Sequence, residues 1–215
     1  MKNKKSNETL VKYALYLSVF TIAYNIAEGI VSIFYGASDE TLALFGFGLD
    51  SFVEVISGVG ILHMILRMKL YSVQSRDDFE RTALKVTGIS FYILALGLII
   101  ASVLLFINNS SPSSTVAGII ISVISILIMY MLMKLKLNIG TELKSDAIIA
   151  DANCTKTCFY LSLILLASSL SYEVFRINYL DIIGSIGISY YAFKEGKESL
   201  DKSKSNHLKC SCEND

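Results

Sequence analysis

The chain has 215 residues, of which 53% are hydrophobic, with a mean hydropathy of +0.55, a single proline and a formal net charge of zero. A soluble domain of this size cannot hide that much apolar surface in one core, whereas a bilayer accepts it on the outside of every helix. There is no Gly-rich phosphate loop, nucleotide motif or Ser/His/Asp set, which argues against an ATP-driven pump and against an enzyme.

The first apolar segment, Leu10 to Tyr35, follows Lys2, Lys4 and Lys5 and is too long for the apolar stretch of a signal peptide. It is expected to be its own insertion signal, and it carries Asn25 and Glu28. The second, Thr41 to Leu66, holds Asp50 and Glu54 in GLDSFVEV, with His63 near its end. Val86 to Ile107 and Val116 to Met133 contain no charged residue and reach or nearly reach across a hydrocarbon core of about 30 Å. A polar turn, NNSSPSST, joins them. The fifth segment, Ala147 to Leu170, carries Asp151, Cys154, Lys156 and Cys158, with Asp146 just before it. The sixth, Tyr179 to Phe193, begins at Asp181. Tyr24, Tyr35, Tyr160, Tyr172 and Tyr179 read as interfacial or packing aromatics.

These segments predict an all-α integral membrane protein, a bundle of six transmembrane helices. Its expected parts are a cytoplasmic N-terminus over 1–9, a transmembrane domain over 10–198 and a short disordered tail over 199–215. With six spans, every Lys and Arg except Lys156 and Arg176 falls on one face: the N-terminus, the 67–85 and 134–144 loops and the tail. The positive-inside rule then places both termini in the cytoplasm, and the expected location is the cell (plasma) membrane. Neither cysteine pair lies in an oxidising setting, so free thiols are expected.

Charges inside a membrane helix cost roughly 2.5–3.5 kcal/mol each on insertion scales, so they are expected to face a cavity or a partner. Asp50 and Glu54 are four apart and share one helix face. Two such carboxylates are tolerable if one is protonated or if a cation lies between them. Cys154 and Cys158 repeat the spacing with thiols. Two helices offering two donors each can close a four-coordinate site of the kind zinc prefers. The alternative is an interhelical polar network with Asn25 or Lys156. Lys156 is expected to offset Asp151 or Asp181, Asp146 to be an interfacial or helix-start charge, and His63 to be packed or interfacial rather than a ligand. In the tail, His207, Cys210 and Cys212 are candidates for capturing metal.

The stretch LALFGFGLDSFVEVISG, the Ala150-Asp151-Ala152 lead-in to the cysteines and NIAEG in the first segment together resemble the cation diffusion facilitator family. These are proton-coupled exporters of zinc, cadmium, iron and manganese with six transmembrane helices and cytoplasmic termini. The resemblance implies metal ligation by Asp50 and Glu54, with Cys154 standing where the family commonly has His and Cys158 where it has Asp. Asp151 is expected as a supporting or proton-relay residue. The family's usual cytoplasmic metal-binding domain after the sixth helix is not expected here, as in a compact branch of the family. A homodimer would therefore need another contact. Thiols favour zinc, cadmium or another thiophilic ion over magnesium or calcium. The expected partners are thus a transported divalent metal, protons and lipid, with no cofactor and no nucleic acid. A membrane metal sensor or accessory protein without turnover is the competing reading.

Overall fold

The computed structural model describes residues 2–38, 41–68, 74–108, 115–143, 146–175 and 179–204. They form six α-helices: α1 (Lys2–Ser38), α2 (Leu42–Met68), α3 (Gln74–Asn108), α4 (Val116–Leu143), α5 (Asp146–Phe175) and α6 (Tyr179–Lys204). Five contain a stretch long and apolar enough to cross a membrane: Thr9–Ser38, Leu42–His63, Leu84–Ile107, Val116–Leu143 and Asp151–Phe175. In α6 the charges from Lys194 onward break the apolar pattern. Most helices outrun the apolar segments expected for them: α1 starts at Lys2 and not at Leu10, α3 at Gln74 and not at Val86, and α5 ends at Phe175 and not at Leu170. The fourth does not end at Met133 but continues through Lys134 and Lys136 to Leu143, and α6 runs on to Lys204, past the expected start of the tail.

The starts of α2 and α4 each follow a threonine whose carbonyl accepts from the first turn. Thr41 precedes α2, where its hydroxyl accepts from Leu44 N at 3.1 Å and its carbonyl from Phe45 N at 3.2 Å. The two amides before these, Leu42 N and Ala43 N, donate to the Asp181 carboxylate of α6 at 2.8 and 3.0 Å. Three amides that a helix start leaves without an intrahelical acceptor, those of Leu42, Ala43 and Leu44, are thereby satisfied. Thr115 likewise precedes α4 and accepts from Ile119 N at 3.0 Å.

The helices pair as antiparallel neighbours, α1 with α2, α3 with α6 and α4 with α5, and α2 also packs on α5. Glycines set the closest approaches. A Cβ on Gly48 of α2 would lie 2.8 Å from the backbone N of Ile33 on α1. Between α3 and α6, a Cβ on Gly88 would sit 2.9 Å from the Gly196 carbonyl. From that crossing the two helices stay together to their far ends, through Tyr92 against Phe193, the Ser189 hydroxyl on the Ala95 carbonyl, and Phe106 against Tyr179.

The distribution of residue types is inverted relative to a water-soluble bundle. Ile93, Leu96, Ile100 and Ile107 of α3 and Ile120, Ile124, Leu127 and Met131 of α4 are exposed. Ser18, Thr21, Asn25, Glu28 and Ser32 of α1, and Ser122, Ser125 and Lys136 of α4, are buried. Many buried hydroxyls return to a carbonyl one turn back, as Ser18 does to Ala14 and Ser162 to Cys158. That is how a helix carries Ser in a dry interior. An apolar cluster of α2, α3, α5 and α6 side chains, centred on Phe47, Leu98, Leu161, Leu165 and Ile188, closes one side of this polar interior.

Candidate functional site

Asp50 and Glu54 lie on α2 about 12 and 18 Å along the helix from Leu42, at 1.5 Å per residue, which is the middle of its apolar stretch. Both are buried and face α5. The Cys158 thiol donates to Asp50 Oδ2 at 2.9 Å, and the Thr155 hydroxyl donates to Glu54 Oε1 at 2.8 Å. One turn further along α2, the Ser57 hydroxyl meets Cys154 Sγ at 3.7 Å. Cys154 and Cys158 are both buried free thiols, as expected for this pair. The i, i+4 pairs of the two helices therefore do face one another, but in staggered register. Cys158 touches an acid directly, while Cys154 stands opposite a serine. Among the described residues, no three His, Cys, Asp or Glu side chains converge closely enough to hold a metal ion. Asp50 Oδ1 and Glu54 Oε2 are buried without a hydrogen-bond partner.

The lysine of the site is not the expected one. Lys156 points away from Asp151 and Asp181: it is exposed, with its ammonium 5.8 Å from the centre of the Tyr160 ring. Asp181 is engaged with the α2 amides instead. Asp151 pairs with Lys136 of α4, whose Nζ lies 3.0 Å from Asp151 Oδ2 and also donates to Thr155 Oγ1 at 2.9 Å. A continuous chain thus runs from Asp151 through Lys136 and Thr155 to Glu54. By hydropathy alone Lys136 falls in the 134–144 loop, because the apolar run stops at Lys134. The signal that could have found it is the buried stripe Ser122, Ser125, Met129, Leu132, Lys136, at alternating steps of three and four along one face of α4.

A second acidic group adjoins the first. Glu28 of α1 accepts from the Tyr24 hydroxyl at 2.8 Å and from the Ser51 hydroxyl of α2 at 3.1 Å, and Ser125 of α4 also hydrogen-bonds it. Tyr24, expected as a packing aromatic, therefore has a polar role. One turn before Glu28, Asn25 is fully buried, and neither of its amide atoms has a partner. From α6, Glu195 hydrogen-bonds Thr157 of α5. The network expected with Asn25 or Lys156 is thus built from other groups: Cys158, Thr155 and Lys136. His63 is exposed. The candidate tail ligands His207, Cys210 and Cys212 lie outside the described residues, as does the side chain of Asp146.

The fold and site together define a class: an all-helical, membrane-type bundle with an acid- and thiol-bearing polar interior. Comparison of the chain with protein-family models and with curated proteins finds no match.

Proposed function

We propose that the protein is a divalent-cation transporter that exchanges protons for a thiophilic ion such as zinc, in the direction of efflux. The observation that carries this reading is the contact between α2 and α5 at mid-depth, where Asp50 and Glu54 meet the helix that bears Cys154 and Cys158. A thiol must give up its proton to ligate a metal, so cation entry and proton release are coupled at these groups. The Cys158 proton directed at Asp50 is one that an arriving cation displaces. The unpartnered oxygens of Asp50 and Glu54 are the first available to cargo, and sliding α5 along α2 would bring Cys154 level with them. Asp151 supports the site by anchoring Lys136.

In this reading all six helices cross the bilayer. The support for α6 is that it accompanies the apolar stretch of α3 from Gly88 to Phe106. The lysine and arginine distribution argues for cytoplasmic termini and the cell membrane. Carrying a divalent ion out against an inside-negative potential of about 100 mV requires roughly 4.6 kcal/mol, and one entering proton returns about half of that. Export against a useful gradient therefore needs more than one proton, a pH difference, or both. Alternating access would expose the mid-depth site to each side in turn.

A second reading, a metal-binding sensor without turnover, is favoured by one observation: every ionisable group of the site already has a partner from the protein itself. Liposomes loaded with a zinc-sensitive and a pH-sensitive dye separate the two. The transporter moves zinc with opposite proton flux, and Asp50→Asn, which stays folded, abolishes both. Zinc transport by Asp50→Asn at the unaltered rate would sink the site assignment. Binding of zinc with no movement of either ion would establish the sensor.

A further inference from the structure

Lys136 is the one strongly basic group among the described residues of the candidate site, and nothing in metal-for-proton exchange requires it. It is 1% exposed, on a helix whose other buried positions are Gly, Ser, Met and Leu. Its ammonium has three donors. One goes to Asp151 Oδ2 at 3.0 Å and one to Thr155 Oγ1 at 2.9 Å, and Thr155 in turn donates to Glu54 Oε1 at 2.8 Å. A positive charge is thus directed through a single hydroxyl at the carboxylate expected to receive cargo.

We propose that Lys136 is a tethered internal cation that competes with cargo for Glu54 through Thr155, so that a loading ion displaces it and its return helps to expel the ion. This inference rests on the transporter reading above. Two features of the geometry support a switch over a static brace. The Thr155 hydroxyl has a second acceptor in reach, the Asp151 carbonyl at 3.2 Å, to which it can turn when Glu54 is taken by cargo. Asp151 also keeps a buried oxygen, Oδ1, without a partner, so the ammonium has a position to retreat to without losing its counter-ion. A brace would need neither. The physical effect is charge repulsion at short range in a medium of low dielectric, where an ammonium a few ångströms from a divalent ion lowers that ion's affinity substantially.

The test is zinc affinity, measured on the purified full-length protein by competition with a fluorescent chelator, alongside thermal unfolding and liposome flux. Lys136→Met removes the competitor at nearly constant volume and should bind zinc at least about tenfold more tightly while transporting it more slowly. Lys136→Arg keeps the charge and should retain affinity and flux near those of the unaltered protein. Because Lys136→Met leaves Asp151 without its partner and could unfold the chain, Thr155→Val serves as the second variant. It breaks the bridge to Glu54, leaves the ion pair in place and should shift affinity in the same direction. Unchanged or weaker zinc binding in the folded variants would overturn the proposal and make Lys136 a structural support, leaving the transporter reading intact. An unaltered protein that binds no zinc would overturn the transporter reading itself, and this inference with it.

Discussion

Asp181 shows how one side chain can serve a helix to which it does not belong. By sequence it stands near the start of the sixth helix as a candidate counter-ion for Lys156, since a buried acid suggests a base. The structure gives it two backbone amides of α2 instead. Hydrogen bonds to a charged group contribute about 1.5–3 kcal/mol each. Asp181→Ala is therefore expected to destabilise the protein by at least about 2 kcal/mol, seen as a lower midpoint of thermal unfolding in detergent. Asp181→Asn, which keeps one acceptor oxygen, should lie between. An Asp181→Ala protein as stable as the unaltered one would mean that water or lipid headgroups serve those amides equally well. At this scale the legible part of the site was what carried formal charge or thiol chemistry on a regular spacing: Asp50, Glu54, Cys154 and Cys158. Lys136, Thr155, Ser51 and Ser57 were not legible. Hydroxyls are common in membrane helices, and the burial of a lysine depends on a partner supplied by another helix.

Helix count and approximate extent were readable from apolar runs, because a span is set by hydrocarbon thickness and not by local propensity. Helix ends were less so. The rule that a span stops at its first lysine fails for α4, where Lys134 lies over the Tyr130 ring and Lys136 turns into the bundle. Which helices touch was not in the apolar pattern at all. It is written in small residues, whose signal is the lack of a side chain. Gly48 illustrates this: a methyl group there would strike the Ile33 amide and the Ser32 side chain on α1. Backbone atoms cannot yield as a side-chain tip can, so Gly48→Ala should force α1 and α2 apart and destabilise the protein by about 1–3 kcal/mol. Since α1 carries Glu28 and α2 carries Ser51, a cross-link between cysteines placed at these two positions should form less readily in the Gly48→Ala background. Equal cross-linking and stability would show that the helix pair has slack at this crossing.

Taken whole, the molecule turns an apolar surface outward and gathers its hydroxyls, carboxylates and thiols within, so the ordinary hydrophobic drive to bury Leu and Ile does not hold it together. Small-residue contacts and interhelical hydrogen bonds do that work in lipid. The Lys136–Asp151 pair has a consequence for how such a chain is made. A lysine in a membrane helix is unfavourable by a few kcal/mol while it has no partner. Here α4 emerges from the ribosome before α5, yet only Lys144 and Ser145 separate the two helices. The fourth helix is therefore expected to wait at the insertion machinery until the fifth arrives, and the two to partition into lipid as one hairpin with their charges already matched. An arrest-peptide force profile of the nascent chain should show a pull only once Asp151 has emerged, and an earlier one in Lys136→Leu. Identical profiles would mean that α4 enters alone. A pull that waits for Asp151 would make the order of synthesis, and not only the finished packing, the reason why the buried base and its acid lie on consecutive helices joined by so short a connection.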